Sequence, residues 1–244
     1  MLNQQQAGML NEMYNPKFMA TVDRHGRPNL VVITSFEYYR GQIIFGNLFL
    51  WKSARNLEQN PHMAVLVIDT KLNYFIMEGR FTGFQETGEL MDHLNSSEMV
   101  RYNAYTGFRS VGTMELSAVT PVQKVSPLNM LGAYLKLNLA RGAVPRFPGA
   151  VAEKFSMLKS IKTVACYEDG RYTLALLPAA GVDGDYLRII RPLPQGSLYA
   201  ANVITPAVVS FQVKGTVERQ GLKVEQVYAT GLPVPGKLIY ELKT

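Results

Sequence analysis

Short stretches of apolar residues, alternating with polar ones or running together, are separated by Gly, Pro and Asn along the whole chain. This spacing is typical of β-strands joined by turns. In the first half of the chain the stretches are residues 18–23, 29–39, 43–45, 63–68, 73–82 and 112–122. Residues 25–28 (HGRP) have the composition of a tight turn, so the first two stretches form a predicted hairpin. The pattern predicts a domain of six strands.

Helical spacing is confined to a few segments. Residues 2–14 predict a modest amphipathic helix, and residues 53–59 predict one or two turns that Asn60-Pro61 ends. Residues 89–105 predict a helix with Leu90, Met91, Leu94, Met99 and Tyr102 on its apolar side. The first half of the chain is therefore predicted to be mainly β with a minority of helix.

Residues 126–160 differ in character from the segments on either side. Four leucines occur there at helical spacing, Leu128, Leu131, Leu135 and Leu139, before Gly and Pro interrupt the pattern. We interpret the segment as a helical connector whose leucines form a core contact between the two halves of the chain. A role at a membrane surface is the alternative.

The strand pattern recurs after the connector. Gly170-Arg171 lies 144 positions after Gly26-Arg27, with similar apolar alternation behind it, and Thr205-Pro206 repeats Asn60-Pro61 at nearly the same offset. We interpret this as a second, degenerate copy of the first domain. Chance hairpins in a β-rich sequence are the alternative. The predicted organisation is a first domain at 1–125, a connector at 126–160 and a degenerate half at 161–244.

Composition narrows the functional classes. The chain has 244 residues, of which 47% are hydrophobic and 18% charged, enough for a sizeable core. Residues 1–10 are too polar for a signal peptide and no run of eighteen apolar residues occurs, so we expect no membrane segment and a cytoplasmic location. Cys166, the single cysteine, lies in a strand pattern and is expected to be a buried thiol. The net charge of +6, without a basic block, disfavours nucleic acid and suits a small anionic ligand.

Residues 51–57 carry the candidate chemistry. Ser53 is a plausible N-cap for the helix that follows, and a helix start offers backbone N–H groups and a partial positive charge. Lys52 and Ser53 at that point would make a site for a phosphate-sized dianion. The alternative is that Lys52 is a solvated charge and Ser53 only caps its helix.

The order of these features resembles the FMN-binding split β-barrel family, which includes pyridoxamine 5′-phosphate oxidase and small flavin reductases. The matching segments are residues 20–23, 25–28, 31–35, 43–47 and 52–61. The resemblance covers roughly residues 15 to 125 and implies a split β-barrel, with a second, degenerate barrel after the connector. No zinc pattern, Ser-His-Asp order or Walker loop competes with it, and no metal site is expected.

The resemblance implies FMN as the cofactor and assigns residues to its parts. The phosphate falls to Lys52 and Ser53, with Trp51 beside them and Asn56 or Arg55 in support. The isoalloxazine ring falls to the strand Val32, Ile33, Thr34 and Ser35, and to Gly46 and Asn47, where the ring can approach closely. Many members carry a basic residue where this chain has Val31 and Val32, which argues against oxidation of pyridoxamine phosphate itself.

The function that follows is an FMN-dependent oxidoreductase acting on a small molecule, with NADH or NADPH as a candidate electron donor. No catalytic side chain is named, because the flavin carries the chemistry. An electron carrier or flavin store without turnover is the alternative, as is a binder of F420 or haem, for which His25, His62 and His93 are the available axial ligands. Family members bind flavin between two barrels, so either the second half is a built-in partner or the chain forms a homodimer, which we favour.

Overall fold

The structure is a computed structural model that describes residues 1–97, 100, 107–139, 142–190, 193–219, 221–231 and 235–242. The chain divides into two compact units, one made of residues 1–24 and 33–124 and the other of residues 25–32 and 125–244. Two curled antiparallel sheets dominate the fold, which confirms the predicted mainly β class. No helix in the described part of the chain has the length and apolar character needed to cross a membrane.

The first half of the chain builds one sheet. Its elements are α1 (Gln4–Asn11), β1 (Lys17–Val22), β2 (Pro28–Ile33), β3 (Phe36–Tyr39), β4 (Gln42–Asn47), α2 (Trp51–Gln59), β5 (His62–Ile68), β6 (Asn73–Gln85), α3 (Glu89–Asn95), β7 (Ser110–Val119) and β8 (Gln123–Lys124). The strand order is β2-β1-β5-β6-β7-β4-β3, and β8 pairs with β6. Fully buried aromatic rings, Phe18, Phe36, Phe45 and Phe75, fill the space that the sheet encloses.

This sheet has eight strands where six were predicted. The stretch 29–39 forms β2 and β3 instead of one strand, because the Ser35 hydroxyl bonds both the N–H and the carbonyl of Gly46 and replaces a backbone rung there. The short β8 adds the other strand. The first part of the helix predicted over 89–105 is present as α3, which ends at Asn95, whereas Met99 and Tyr102 lie outside the described residues.

The second half of the chain builds the other sheet. Its elements are α4 (Pro127–Asn138), α5 (Gly149–Ser156), β9 (Ile161–Glu168), β10 (Arg171–Leu177), β11 (Ala180–Asp183), β12 (Tyr186–Ile189), β13 (Leu198–Ile204), β14 (Ser210–Glu218), β15 (Gly221–Ala229) and β16 (Lys237–Glu241). The strand order is β10-β9-β13-β14-β15-β12-β11. Each strand in this order has a number eight higher than the strand at the same place in the first sheet. The two sheets therefore share one strand order, which confirms the predicted tandem arrangement.

The sequence offset between the two copies changes at one place. Equivalent strands β4 and β12 begin at Gln42 and Tyr186, which are 144 positions apart. Equivalent strands β5 and β13 begin at His62 and Leu198, which are 136 positions apart. Helix α2 lies between β4 and β5, and the described residues between β12 and β13 contain no helix. The second copy is therefore shorter at the position of α2.

This change of offset corrects one of the two sequence matches. The match of Thr205-Pro206 to Asn60-Pro61 is wrong, because Asn60-Pro61 precedes β5 whereas Thr205-Pro206 follows β13, the strand equivalent to β5. The other match holds. Gly26 and Gly170 lie between equivalent strands and have φ angles of 76° and 77°, a left-handed conformation that glycine adopts without a steric penalty.

A glycine bulge is also repeated. Strand β6 shifts register at Gly79 and its equivalent β14 shifts register at Gly215. A Cβ atom at Gly79 would overlap the carbonyl oxygen of Glu115, and one at Gly215 would overlap that of Lys223. Each sheet bends at a point where the neighbouring strand leaves no room for a side chain.

Each first strand carries a buried lysine. Lys17 pairs with Val67 in the β1–β5 ladder, and Lys162 pairs with Val203 in the equivalent β9–β13 ladder. The Lys17 Nζ atom donates to the carbonyl oxygens of Glu12 (2.7 Å) and Thr34 (3.0 Å). Lys162 likewise donates to two backbone carbonyls. Both ammonium groups therefore donate hydrogen bonds to backbone carbonyl oxygens.

Two side-chain amides hold residues 25–32 in the second unit. The Gln212 Oε1 atom accepts a hydrogen bond from the Leu30 N–H group (3.1 Å), and the Asn202 Nδ2 atom donates to the Leu30 carbonyl (3.1 Å). Gln212 also donates to the Asn29 side chain (3.3 Å). All four residues are buried. Because an unsatisfied buried backbone group is costly, these amides are expected to contribute to stability.

The connector is helical, as predicted, but the expected core contact of its leucines is wrong. Leu128, Leu131, Leu135 and Leu139 are 79%, 42%, 40% and 74% exposed. The side of α4 that packs is formed by Ala133 and Leu137 instead, which contact Ala179. The leucine spacing identified a helix correctly, but it did not identify the buried side of that helix.

Candidate functional site

Helix α2 begins two residues earlier than predicted. Leu50 is the N-cap and makes no side-chain cap, whereas Ser53 lies at the third helical position and is 2% exposed. The turn before the helix is closed by the Asn47 side chain, whose Oδ1 atom accepts from the Leu50 N–H group (3.3 Å). Ser53 is therefore not the N-cap. Asn47 organises the helix start from the end of β4.

The start of α2 is electropositive. Its first turn contains no acidic residue, and the exposed Lys52 occupies the second helical position. The guanidinium of Arg109 lies 3.8 Å from the centre of the Trp51 ring, a cation–π contact at the first helical position. Trp51 is 59% exposed, so it is not a core residue. Two cations and an aromatic face thus lie where the helix dipole favours an anion.

Sequence reasoning missed Arg109. The Arg109 N–H donates to the Asn47 carbonyl (2.9 Å), and the Asn47 side chain donates to the Ser110 hydroxyl (3.1 Å). These contacts result from the pairing of β4 with β7, in which Asn47 faces Ser110. No local pattern identifies that pairing, because the two strands are far apart in the sequence.

The inner face of α2 packs against the barrel. The Asn56 amide donates to the Thr21 hydroxyl of β1 (3.1 Å), and Asn56 is 3% exposed. This contact engages the Asn56 side chain inside the unit, and its support of a phosphate stays a prediction. Arg55 is exposed on the outer side of the helix.

The residues predicted for the flavin ring are divided among different environments. Thr34 is exposed, whereas Ile33 is buried in the core at 6% exposure. The Ser35 hydroxyl is engaged with Gly46 at 3.1 Å in both directions. Val32 is half-buried and belongs to the second unit. Of the two hydroxyl side chains predicted to contact the flavin ring, that of Thr34 is exposed and that of Ser35 is buried.

Gly46 has a structural reason for lacking a side chain. A Cβ atom there would overlap the ring of Phe108, which packs on the strand at that point. The close approach predicted at Gly46 is thus made by Phe108. A flavin contact at this position stays a prediction.

None of the three histidines belongs to the start of α2, and His93 makes specific side-chain contacts. The His93 Nε2 atom lies 2.7 Å from a carboxylate oxygen of Glu37, and the His93 ring stacks on Tyr39 with centroids 3.8 Å apart. His62 is exposed at the start of β5 and His25 is exposed in the β1–β2 turn. Within the described ranges no three His, Cys, Asp or Glu side chains are grouped to hold a metal ion.

Comparison with known proteins finds one family model that matches the first repeat. The family model described as pyridoxamine 5′-phosphate oxidase matches residues 10–123. No curated protein matches the chain.

Several solved structures resemble about half of the chain. HupZ of Group A Streptococcus is 19% identical, with 49% of this chain and 92% of that chain covered and a TM-score of 0.41. An FMN-binding protein from Syntrophomonas wolfei subsp. wolfei is 17% identical, with 49% and 85% covered and a TM-score of 0.43. HutZ, the haem storage protein of Vibrio cholerae, is 15% identical, with 51% and 97% covered and a TM-score of 0.41.

The matched residues include β1 to β7 of the first sheet and the helix α2 between β4 and β5. Residues 10–123 therefore match the model of the pyridoxamine 5′-phosphate oxidase family, and the chain carries a split barrel together with a second copy of its strand order.

Proposed function

We propose that the first repeat binds FMN and that the chain is an FMN-dependent oxidoreductase acting on a small molecule. The observation that carries the proposal is the start of α2, where Lys52 and Arg109 flank a helix terminus that has no acidic residue and no side-chain cap. A phosphate dianion complements that charge. The family match of residues 10–123 supports flavin as the group to which the phosphate belongs.

The residues fit the phosphate end of FMN better than the ring end. Lys52 supplies a mobile charge, and Arg109 supplies a planar donor set that the Trp51 ring holds in place. At the ring end the Ser35 hydroxyl is bonded to Gly46, and Thr34 is an exposed polar side chain between β2 and β3. FMN, when bound, supplies two-electron redox chemistry, and the protein's residues bind and orient it.

One FMN per chain is expected. The described residues between β12 and β13 contain no helix, so the second copy has no equivalent of the positive helix terminus at α2. We therefore propose that the second copy has a structural role and does not bind FMN. Binding of two FMN molecules per chain would contradict it.

Spectroscopy and titration test the cofactor. The purified chain, or the chain loaded with FMN, should show flavin absorbance and release FMN on acid treatment. FMN should also quench the fluorescence of Trp51, the only tryptophan, because that ring lies at the proposed phosphate end. Failure to bind added FMN would overturn the proposal, and titrations with F420 and haem would then decide between the other cofactors.

Site variants test the phosphate assignment. Lys52→Ala should weaken FMN binding by about tenfold, the lower end for a charge-assisted contact because Lys52 is exposed. Lys71→Ala is the matched control, since Lys71 is an exposed lysine in the β5–β6 turn. If the two variants bind FMN equally, the assignment of Lys52 fails.

Turnover separates the enzyme from a carrier. With FMN bound, oxidation of NADH or NADPH should be measurable in the presence of an electron acceptor. A chain that binds FMN stoichiometrically but oxidises neither nucleotide would be an electron carrier or a flavin store.

A further inference from the structure

Helix α4 is apolar on two opposite sides. Ala133 and Leu137 are buried against Ala179, while a second set of apolar side chains is exposed. We name this set the leucine stripe: Leu128, Leu131, Leu135 and Leu139. Contiguous exposed apolar side chains are typical of an interaction surface, so the leucine stripe is a candidate contact surface.

The leucine stripe is narrow and straight. Its steps of three, four and four residues place all four side chains within about 80° of the helix circumference. The stripe extends about 16 Å along α4, which is too short to cross a bilayer but suits a helix lying in the plane of an interface. Ser126 fixes the start of the helix, because its hydroxyl accepts from the Asn129 N–H group.

The charged residues of the segment that carries the leucine stripe are all basic, whereas Asp183 and Asp185 lie on the neighbouring hairpin. Between Glu115 and Glu153 the sequence contains no Asp or Glu. Lys136 is exposed in the last turn of α4, and the Arg146 side chain is 77% exposed beyond it. Arg146 forms an ion pair with Asp185, whose carboxylate lies 3.3 Å away. Lys136 is therefore the principal cation next to the stripe.

Two kinds of partner could cover an apolar surface of this kind. A second copy of the chain would offer Lys136 no acidic partner from α4, which contains no Asp or Glu, and the four-leucine stripe is small beside the roughly 800 Å² per partner of a standard protein interface. An anionic lipid surface suits both the leucines and the lysine. The acyl chains would bury the leucine side chains, and the phosphate groups would attract the ammonium group of Lys136.

We propose that α4 docks the protein on an anionic lipid surface, with the leucine stripe at the boundary between head groups and acyl chains and Lys136 at the level of the phosphates. This is independent of the proposed flavin function. It takes up the membrane-surface role that the sequence left as the alternative for residues 126–160, in place of the core contact that the exposed leucines contradict.

Vesicle co-sedimentation of the full chain tests the proposal. Vesicles of phosphatidylcholine with phosphatidylglycerol should bind the chain, vesicles of phosphatidylcholine alone should bind it more weakly, and added salt should reduce the difference. The double variant Leu131→Gln/Leu135→Gln should bind about tenfold more weakly, because it removes two of the four apolar contacts.

A matched control separates the stripe from general hydrophobicity. Leu198 and Leu238 are 42% and 40% exposed, which matches Leu131 and Leu135 at 42% and 40%. Leu198→Gln/Leu238→Gln should therefore bind anionic vesicles as the wild type does, and circular dichroism checks that both double variants are folded. Absence of binding to anionic vesicles, or equal loss in both double variants, would overturn the proposal. So would a dimer in light scattering that only the stripe variant dissolves, because a second copy would then cover the stripe.

Discussion

The buried lysine of the first repeat makes the stability of the protein depend on pH in a defined way. Burial lowers the pKa of Lys17 from 10.5 to about 8, against smaller upward influences of Glu37 and Glu12. Below pH 8 the lysine is charged in the folded and the unfolded chain, and folding has to bury that charge. Between pH 8 and 10.5 it is neutral in the folded chain but charged in the unfolded chain, so unfolding takes up a proton. The free energy of unfolding therefore rises with pH across this window.

The size of the effect follows from the two pKa values. From pH 7.5 to 9.5 the contribution of Lys17 to the free energy of unfolding should increase by about 2 kcal/mol. Lys17→Met removes the titration while keeping a long unbranched side chain. The difference in unfolding free energy, wild type minus variant, should therefore rise by that amount. Other titrating groups cancel in this difference because both proteins contain them.

Urea denaturation followed by Trp51 fluorescence is the appropriate measurement, because the only tryptophan and Lys17 lie in the same unit. Lys71→Met serves as the control, since Lys71 is exposed and its variant should follow the wild type at every pH. If the wild type and Lys17→Met keep a constant difference, the Lys17 ammonium is solvated and the reasoning fails. Lys162, whose pKa burial also lowers to about 8, provides a second test in the other unit.

Three further predictions concern packing. Gly46→Ala should lower the free energy of unfolding by about 1–3 kcal/mol, because its Cβ atom overlaps the Phe108 ring, and Phe108→Leu should recover part of the loss in the same thermal melt. An unchanged melting temperature for Gly46→Ala would contradict this contact. Gln212→Leu should cost about 1–3 kcal/mol in urea denaturation, because the buried Leu30 N–H loses its acceptor; no loss would mean that water replaces the amide. Cys166 is 1% exposed and should react with a thiol reagent only after unfolding, so rapid reaction of the native chain would refute its burial.

The sequence predicted features that depend on neighbouring residues. Alternation of apolar and polar residues located most of the strands, and the Gly26 and Gly170 turns revealed the repeat because a left-handed turn residue is a local requirement. The helix before β5 was also found locally, although it begins two residues earlier than predicted and so includes Lys52. The family resemblance rested on the order of these pieces, and the family match of residues 10–123 confirms it.

Tertiary structure determined how these pieces meet. The pairing of β4 with β7 places Arg109 next to Trp51, and the change of offset at α2 corrects the match of Thr205-Pro206. Strand pairing joins residues that are distant in the sequence, and no periodicity encodes it.

Burial is the other property that the sequence left open. The four leucines of α4 have the spacing of a core-facing stripe, yet Ala133 and Leu137 form the packed side. Periodicity identifies an apolar side of a helix, but when two sides are apolar, the neighbouring strands determine which one is buried. The sequence by itself therefore determined the elements, the repeat and the position of the candidate anion site. Only the tertiary structure determined the second cation of that site and the exposure of the leucines, because both depend on contacts between residues that are distant in the chain.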